Sequence, residues 1–353
     1  SWTMGKSNMT LGSEWTKVDN QSSHQTPQTI VANAANEVHE QQLAAFAEWT
    51  WTNPLGRLTS GLRYETIWYD QVRNGQSQPS TTHCEWFPSL RFGTKVGRTF
   101  WQMAYSYRTF RPSFQQLNQS FIYANRFTYQ RSNPLLDSEH VHDLSLTGSW
   151  WAMQFGVNFK DRRDAIVFSG APLANNSSII VISPRNLTSV TSLSAFACIS
   201  ITKARWQSNI QASLKQQWLS LPTRWGEHHY NRPIVSLGCQ NTFKLSTTWK
   251  AFADCYFNTK GHTAVYHLDR NTLRLDLAMA KSFARDRWNL RFGVTDLLNR
   301  ADNYSTLQDF SSRLIQRNDT FLREAYVTLR YTLNPAKDKY KGKGAGENEM
   351  KRL

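Results

Sequence analysis

From Trp206 to Trp218 the apolar residues fall on alternate positions. Trp206, Ile210, Ala212, Leu214 and Trp218 share one parity, and Gln207, Asn209, Gln211, Ser213 and Lys215 take the other. Side chains of an extended chain point alternately to opposite faces, so this pattern predicts a strand with one apolar and one polar face. The same alternation recurs along the chain. Leu273, Leu275, Leu277 and Met279 interleave with Arg274, Asp276 and Ala278. Trp288, Leu290, Phe292 and Val294 interleave with Asn289, Arg291 and Gly293. Ala325, Val327, Leu329, Tyr331 and Leu333 interleave with Tyr326, Thr328, Arg330 and Thr332. Helical periodicity of comparable length is absent.

About fourteen strands follow, at roughly 4–17, 40–52, 57–71, 86–96, 99–110, 140–150, 151–168, 189–202, 205–219, 233–245, 249–259, 263–283, 287–299 and 318–333. The links between them alternate in length. Those after even-numbered strands are tight, such as the one at Asn53 to Gly56. Those after odd-numbered strands are long: 18–39, 70–85, 111–139, 169–188, 220–232 and 300–317. The link 260–262 is short only if the twelfth strand starts as early as 263. Several strands hold ten or more residues, twice the length usual in soluble sheets and enough to cross a bilayer at a tilt. Aromatic residues bracket the apolar face, at Trp49 and Trp51, at Tyr64 and Trp68, and at Trp206 and Trp218. Trp and Tyr favour the lipid–water boundary, where the ring is buried and its N–H or O–H stays wet. The expected fold is all-β, an antiparallel up-and-down transmembrane β-barrel. The competing fold is a soluble β-protein with a Trp-rich core.

Composition adds a tension that this fold resolves. The 353 residues carry 41 Lys+Arg against 26 Asp+Glu, a net charge of +15, yet include 14 Trp. Mean hydropathy is −0.56. No apolar run is long enough for a transmembrane helix, and the 13% aromatic content excludes a disordered chain. Barrel strands expose apolar side chains on one face only, so a hydrophilic average is expected. The start, SWTMGKSNMTLGSEW, lacks the pattern of a signal peptide. Cys84, Cys198, Cys239 and Cys255 form no CxxC pair. Cys239 and Cys255 are expected as cross-strand neighbours with free thiols.

Residues 100–166 specify the kind of barrel. Arg111-Pro112-Ser113 is followed by Gln116-Leu117-Asn118, by Asn133-Pro134-x-Leu136, by Glu139 opening a strand, and by Lys160-Asp161 and Asp164-Ala165-Ile166. Together with Ala44-Ala45-Phe46-Ala47-Glu48, Phe87-Pro88-Ser89-Leu90 and Thr295-Asp296-Leu297-Leu298-Asn299, these pieces resemble, in order, the C-terminal barrel of TonB-dependent receptor-like outer-membrane proteins. Ser132 and Ser138 stand where that family usually has Gly-Asn-Pro and Pro-Glu. The resemblance marks Arg111, Pro112, Asn118, Asn133, Pro134, Glu139, Asp164, Asp296 and Asn299 as motif residues. It implies a barrel of twenty-two strands with an N-terminal plug, of which this chain would be the C-terminal part without plug or TonB-contact segment. Residues 1–334 are then barrel, and 335–353, basic and rich in Gly and Lys, a disordered periplasmic tail.

Candidate chemistry is sparse. GxSxG, HExxH and P-loop patterns are absent, so neither an enzyme nor a cofactor is expected. Charges on the polar parity, Arg63, Glu65, Arg91, Arg274, Asp276 and Arg291, are candidates for solute contact in the lumen. Their plainer role is to pair across strands and fill the wall. All nine histidines fall at or beside the long-link end; His140, His142, His228 and His229 are the candidates for capturing a metal or metal chelate. The expected function is the barrel portion of a TonB-dependent receptor that takes up a scarce solute in the outer membrane of a Gram-negative bacterium. A passive porin or a structural or adhesive barrel is the alternative. A soluble glycan- or nucleic-acid-binding β-protein is a third. Expected partners are outer-membrane lipid and lipopolysaccharide, TonB through a plug, the barrel-assembly machinery and a surface lipoprotein. Nucleic acid is not among them, because lipopolysaccharide phosphates are the nearer polyanion for the basic excess.

Overall fold

A computed structural model describes residues 2–24, 34–118, 121–173, 176–223, 226–284, 287–308, 313–318 and 322–333. Fourteen long strands form the wall. In chain order they are β1 (Ser7–His24), β2 (Ala34–Asn53), β3 (Gly56–Arg73), β4 (Thr81–Val96), β5 (Thr99–Phe110), β6 (Glu139–Trp150) and β7 (Met153–Leu173). Then come β8 (Asn176–Lys203), β9 (Trp206–Trp218), β10 (Ile234–Lys244), β11 (Trp249–Asn258), β12 (Thr272–Phe283), β13 (Trp288–Thr295) and β14 (Glu324–Tyr331). Each pairs antiparallel with the next in sequence, the up-and-down order the alternation predicts. A short strand, Trp2–Met4, pairs with the start of β1. Among the described residues β1 and β14 do not pair with each other, so the sheet is open.

Tight turns gather at one end. Trp151, Ala204 and Ala284 take left-handed φ of 51°, 51° and 54° there. Trp151 and Ala204 open two-residue hairpins, which need such a residue because its twist matches that of the strands. Gly56 sits at φ 152°, and a side chain there would run into the Gly93 carbonyl of β4.

The register assigns every wall residue a face. Gln211, Asn209 and Ser213 of β9 stand opposite Gly238, Gln240 and Ser236 of β10, so the polar residues of successive strands share the inner face. Leu43, Leu90, Met103, Leu144, Val157, Leu237 and Leu277 lie on the other face and are exposed. In water such a surface would be an aggregation liability; it matches a lipid-facing band. Trp49 and Trp51 stack at the turn end, with ring centroids 6.2 Å apart. Trp15, Trp68, Trp86 and Trp218 stand exposed towards the far end. Trp51 faces Leu58, ten residues before Trp68 on β3. Ten residues span about 33 Å of strand, or about 23 Å of height at a 45° tilt, close to the apolar band of an outer-membrane barrel.

Two predicted loops are instead strand. The link placed at 169–188 continues the ladder, pairing Ile166 to Asn186 and Ala171 to Val181. The link placed at 18–39 pairs as far as His24 with Ala34. The reason is physical: alternation reports lipid on one face, and it fades once the hairpin rises into water, although backbone pairing persists. The twelfth strand begins at Thr272 rather than 263; Gly261–Thr263 and Tyr266–Leu268 form a separate hairpin. The last strand is Glu324–Tyr331, inside the predicted 318–333. The predicted tail 335–353 lies outside the described residues.

The only apolar cluster of buried residues among the described ones sits at the loop end. Ala165 and Val167 of β7, Leu187 and Val190 of β8, Leu219, Leu221 and Tyr230 after β9, Val265 after β11 and Leu307 after β13 pack together. Four loops thus close over a common core. Asp164, at φ 50°, makes the switch on β7: before it Lys160 and Arg162 line the inner face, and after it Ala165, Val167 and Ser169 are buried.

Candidate functional site

After β5 the chain does not return directly to the wall. Residues 111–118 and 121–138 cross the inner side of the loop end as a strap. Ser113 caps the single helical turn α1 (Phe114–Leu117) through a capping box with Gln116. Phe114 is buried beneath the strap. Its hairpin then lays Thr128–Gln130 parallel against Ile180–Ile182 of β8.

Both ends of the strap are pinned. The Arg111 guanidinium donates to Glu40 at 2.8 Å and to Gln42 at 2.9 Å on β2, and lies 3.5 Å from Glu65 on β3. Arg73 of β3 donates to the Pro134 carbonyl at 3.3 Å. On the other side, Asn133 donates to the Pro184 carbonyl of β8 at 3.1 Å. Asn186 accepts from the Asp137 N–H and donates to the Asp137 and Asp164 carbonyls. Six inter-strand steps separate β2 from β8, about 29 Å along the sheet. The strap therefore ties distant parts of the wall and roofs the space between them.

Under it lies a cavity of about 730 Å³, lined by Glu65, Gln71, Arg73, Glu85, Arg111 and His140 among others. That volume falls in the range of small-molecule sites. The backbone ladder between β4 and β5 stops at Ser89–Ser106, although both strands run on. Past that point Thr109 donates to Glu85 at 2.6 Å, His140 lies 3.4 Å from Glu85, and Phe87 stacks on Tyr107.

The predicted lumen charges divide into groups. Arg63 bridges Glu65 and Glu14, so Glu14, Arg63, Glu65, Arg111 and Glu40 form one chain of alternating charge beside the cavity. Arg274 grips Asp276 with two nitrogens, at 2.9 Å and 2.7 Å, far along the sheet. The Arg291 guanidinium lies 4.5 Å from the centre of the Phe252 ring, and its Nε is buried without a partner among the described residues. Arg91 is exposed on the inner face, opposite Thr59 and Ala104, and makes no ion pair among the described residues.

Most motif residues hold the frame. Glu139, 6% exposed, takes a two-point bond from Arg162, both contacts at 2.6 Å, and accepts the Ile166 N–H. The Asn118 N–H closes α1 on the Phe114 carbonyl. Pro112 and Pro134 line the cavity. Asp296, also buried, donates its N–H to Asp276 and accepts from the Arg300 and Ala301 N–H groups. Asn299 and Asp296 both take left-handed φ in that turn.

The histidines separate in the same way. His140 and His142 point one ring nitrogen each at Tyr107 and Tyr105 hydroxyls, at 2.8 Å and 3.0 Å. His229 bonds Ser220, while His228 sits against Tyr230 and His262 in the cap. His262 and His267 have ring centroids 4.7 Å apart. Burial, then the charges of His267, Arg232 and His228, push His262 down to a pKa of about 4. Among the described residues no three His, Cys, Asp or Glu side chains are placed to hold a metal. Cys239 and Cys255 stand directly opposite each other, and all four thiols are free.

Sequence reasoning missed Glu40, Gln42, Gln71, Arg73, Glu85 and Arg162. Their one signal was polar residues on the inner parity near strand ends, and nothing in the sequence says which of these meet.

Residues 4–331 match the outer membrane protein β-barrel family. The chain belongs to that family. Its place is therefore the outer membrane. No curated protein matches the chain. Among solved structures it is similar to the copper transporter OprC, with a TM-score of 0.63 at 12% identity, over 90% of this chain and 53% of that one. It is also similar to the ferric yersiniabactin uptake receptor FyuA from Yersinia pestis, with a TM-score of 0.58 at 11% identity, over 93% and 51%. The FrpB iron transporter from Neisseria meningitidis gives 0.58 at 9%, over 94% and 53%. This family member thus spans about half the length of the structures it matches.

Proposed function

We propose that this chain is the barrel portion of a TonB-dependent outer-membrane receptor that takes up a scarce solute. The observation that carries the reading is the strapped cavity at the loop end: a pinned roof over a solute-sized space, opening towards a polar inner face. A passive pore has no need of such a roof. In this reading the loop end faces outwards, the tight turns and the C-terminus face the periplasm, and a plug supplies the link to TonB. The solute enters at the cavity, and the lumen charges, chiefly Arg91 and Arg291, contact it on its way inwards.

Transport separates this from the porin reading. Deleting the gene is expected to abolish saturable, proton-motive-force-dependent uptake of one solute from a panel of metal chelates, glycans and peptides, and restoring the gene to return it. Unchanged uptake across the panel, with steady ohmic conductance of the purified chain in planar bilayers, overturns it.

A further inference from the structure

Two residues that line the cavity under the strap each carry a hydrogen-bond donor without a partner among the described residues. The Gln71 side-chain amide nitrogen and Arg73 Nε are buried and unpartnered among the described residues. Gln71 is only 6% exposed, yet both residues line the cavity. They sit two apart on β3, so both point to the inner face. Gln71 is fifteen residues from the Gly56 turn, about 50 Å along the strand, which places both donors at the loop end beyond the apolar band.

A buried donor without a partner costs the desolvation of that group, so such groups are normally satisfied. Elsewhere around this cavity the fold meets that demand. Arg111 is held by Glu40, Gln42 and Glu65, and Arg63 by Glu14 and Glu65. Arg73 differs: its one bond is to a neutral carbonyl, that of Pro134, and it has no carboxylate within ion-pair distance among the described residues. Of the five acids that line the cavity, Glu40 and Glu65 pair with arginines and Glu85 with Thr109 and His140, while Asp137 and Asp164 form no ion pair among the described residues, with Arg73 or any other cation. Two adjacent donors, one on an uncompensated guanidinium, ask for an acceptor that carries negative charge. A carboxylate supplies two oxygens in the plane a guanidinium prefers.

We infer that the strapped cavity binds a small carboxylate-bearing solute, with the carboxylate held by Arg73 Nε and the Gln71 amide. This rests on the receptor reading for its purpose, and on the two free donors for its chemistry. The Arg111 network then acts as a fixed wall of the cavity, and the Pro134 carbonyl positions Arg73 by accepting from its Nη2.

The test is calorimetry on the whole chain folded in detergent, with heat-modifiable gel mobility as the folding control. The probes are citrate, succinate and glutamate, with succinamide as the uncharged analogue and inorganic phosphate as the competing oxyanion. At least one carboxylate is expected to bind, with succinamide weaker by tenfold or more. Arg73→Gln and Gln71→Leu are each expected to weaken binding about tenfold or more, Arg73→Lys by less, and Lys95→Gln, at the turn end of β4, not at all. Absence of carboxylate binding, binding unchanged in Arg73→Gln and Gln71→Leu, or preference for phosphate overturns the inference. The two readings fail separately. Binding that depends on Arg73 without any uptake removes the receptor reading alone. Uptake that is indifferent to Arg73→Gln and Gln71→Leu removes this one alone.

Discussion

The wall and the cap of this protein solve opposite problems with the same residue types. In the wall, Leu43, Leu144, Leu237 and Leu277 face outwards and are exposed, while Gln211, Asn209 and Ser213 face inwards. In the cap, Leu187, Leu219, Leu221 and Leu307 face inwards and are buried. The difference lies in what surrounds each region. Lipid welcomes apolar side chains, so the wall gains nothing by hiding them and needs only to satisfy its backbone across strands. Water rejects them, so the part of the chain that rises out of the membrane must build a core of its own. The hairpin β7–β8 passes through both regimes, and Asp164 marks the crossing.

The comparison breaks first where the cap buries charge. Glu139→Ala leaves Arg162 and the Ile166 N–H without their partner and is expected to cost about 3–5 kcal/mol. Hydrogen exchange should show the loss in residues 160–190, with the turn-end ladders unchanged; a uniform loss along the sheet would contradict a separately stabilised cap. Truncating Leu307 to Ala in the cap core is expected to cost about 2–5 kcal/mol, read in the same amides. In the wall the two faces should differ sharply. Ile210→Arg, on the lipid face, is expected to cost about 2–4 kcal/mol at mid-membrane, whereas Gln211→Arg beside it should stay within about 0.5 kcal/mol. Urea titration in lipid vesicles measures both, and equal costs would mean that the faces have been misassigned.

A smaller effect concerns pH and the cap alone. His262 accepts the Arg232 N–H on its Nδ1 at 3.1 Å, so it must be neutral there. Its pKa is lowered from 6.5 to about 4 by burial and by neighbouring positive charge. A histidine with a depressed folded value contributes its full stability above pH 6.5. That contribution falls as the unfolded state takes up protons below 6.5, and it levels off below about 4. Protection of the Arg232 amide, corrected for intrinsic exchange, should therefore decline between those values, and His262→Gln should flatten the decline. The smallest expected effect is at Cys239 and Cys255. Although directly opposed, they are free thiols, and mobility on non-reducing gels should be unchanged.

Legibility in the sequence follows the same boundary. Trp206 to Trp218, Leu273 to Met279 and Trp288 to Val294 announced their strands, because one lipid-facing row imposes period two. Alternating link lengths then gave their order. Residues 169–173 and 176–188 read as a loop and are strand, because above the membrane neither face meets lipid. The motif residues Arg111, Asn133, Glu139 and Asp164 were visible, but their work was not. Each acts through a partner far along the chain, Glu40, Pro184, Arg162 and Asn186. Gln71 and Arg73 carried only their polar inner parity, which is ordinary until such a residue is found buried and unbonded.

The sequence by itself determined the strands, their up-and-down order, the two faces and the family resemblance, since all of these are local or arise from repetition along the chain. Tertiary structure decided the strap, the cap and the cavity between them. These depend on which residues meet across seven strands of the wall, β2 to β8, and no periodicity encodes that. Desolvation makes those meetings matter: a charge or donor brought out of water must find its partner, and only the assembled fold shows that Arg111 has one and that the Gln71 amide nitrogen and Arg73 Nε have none among the described residues.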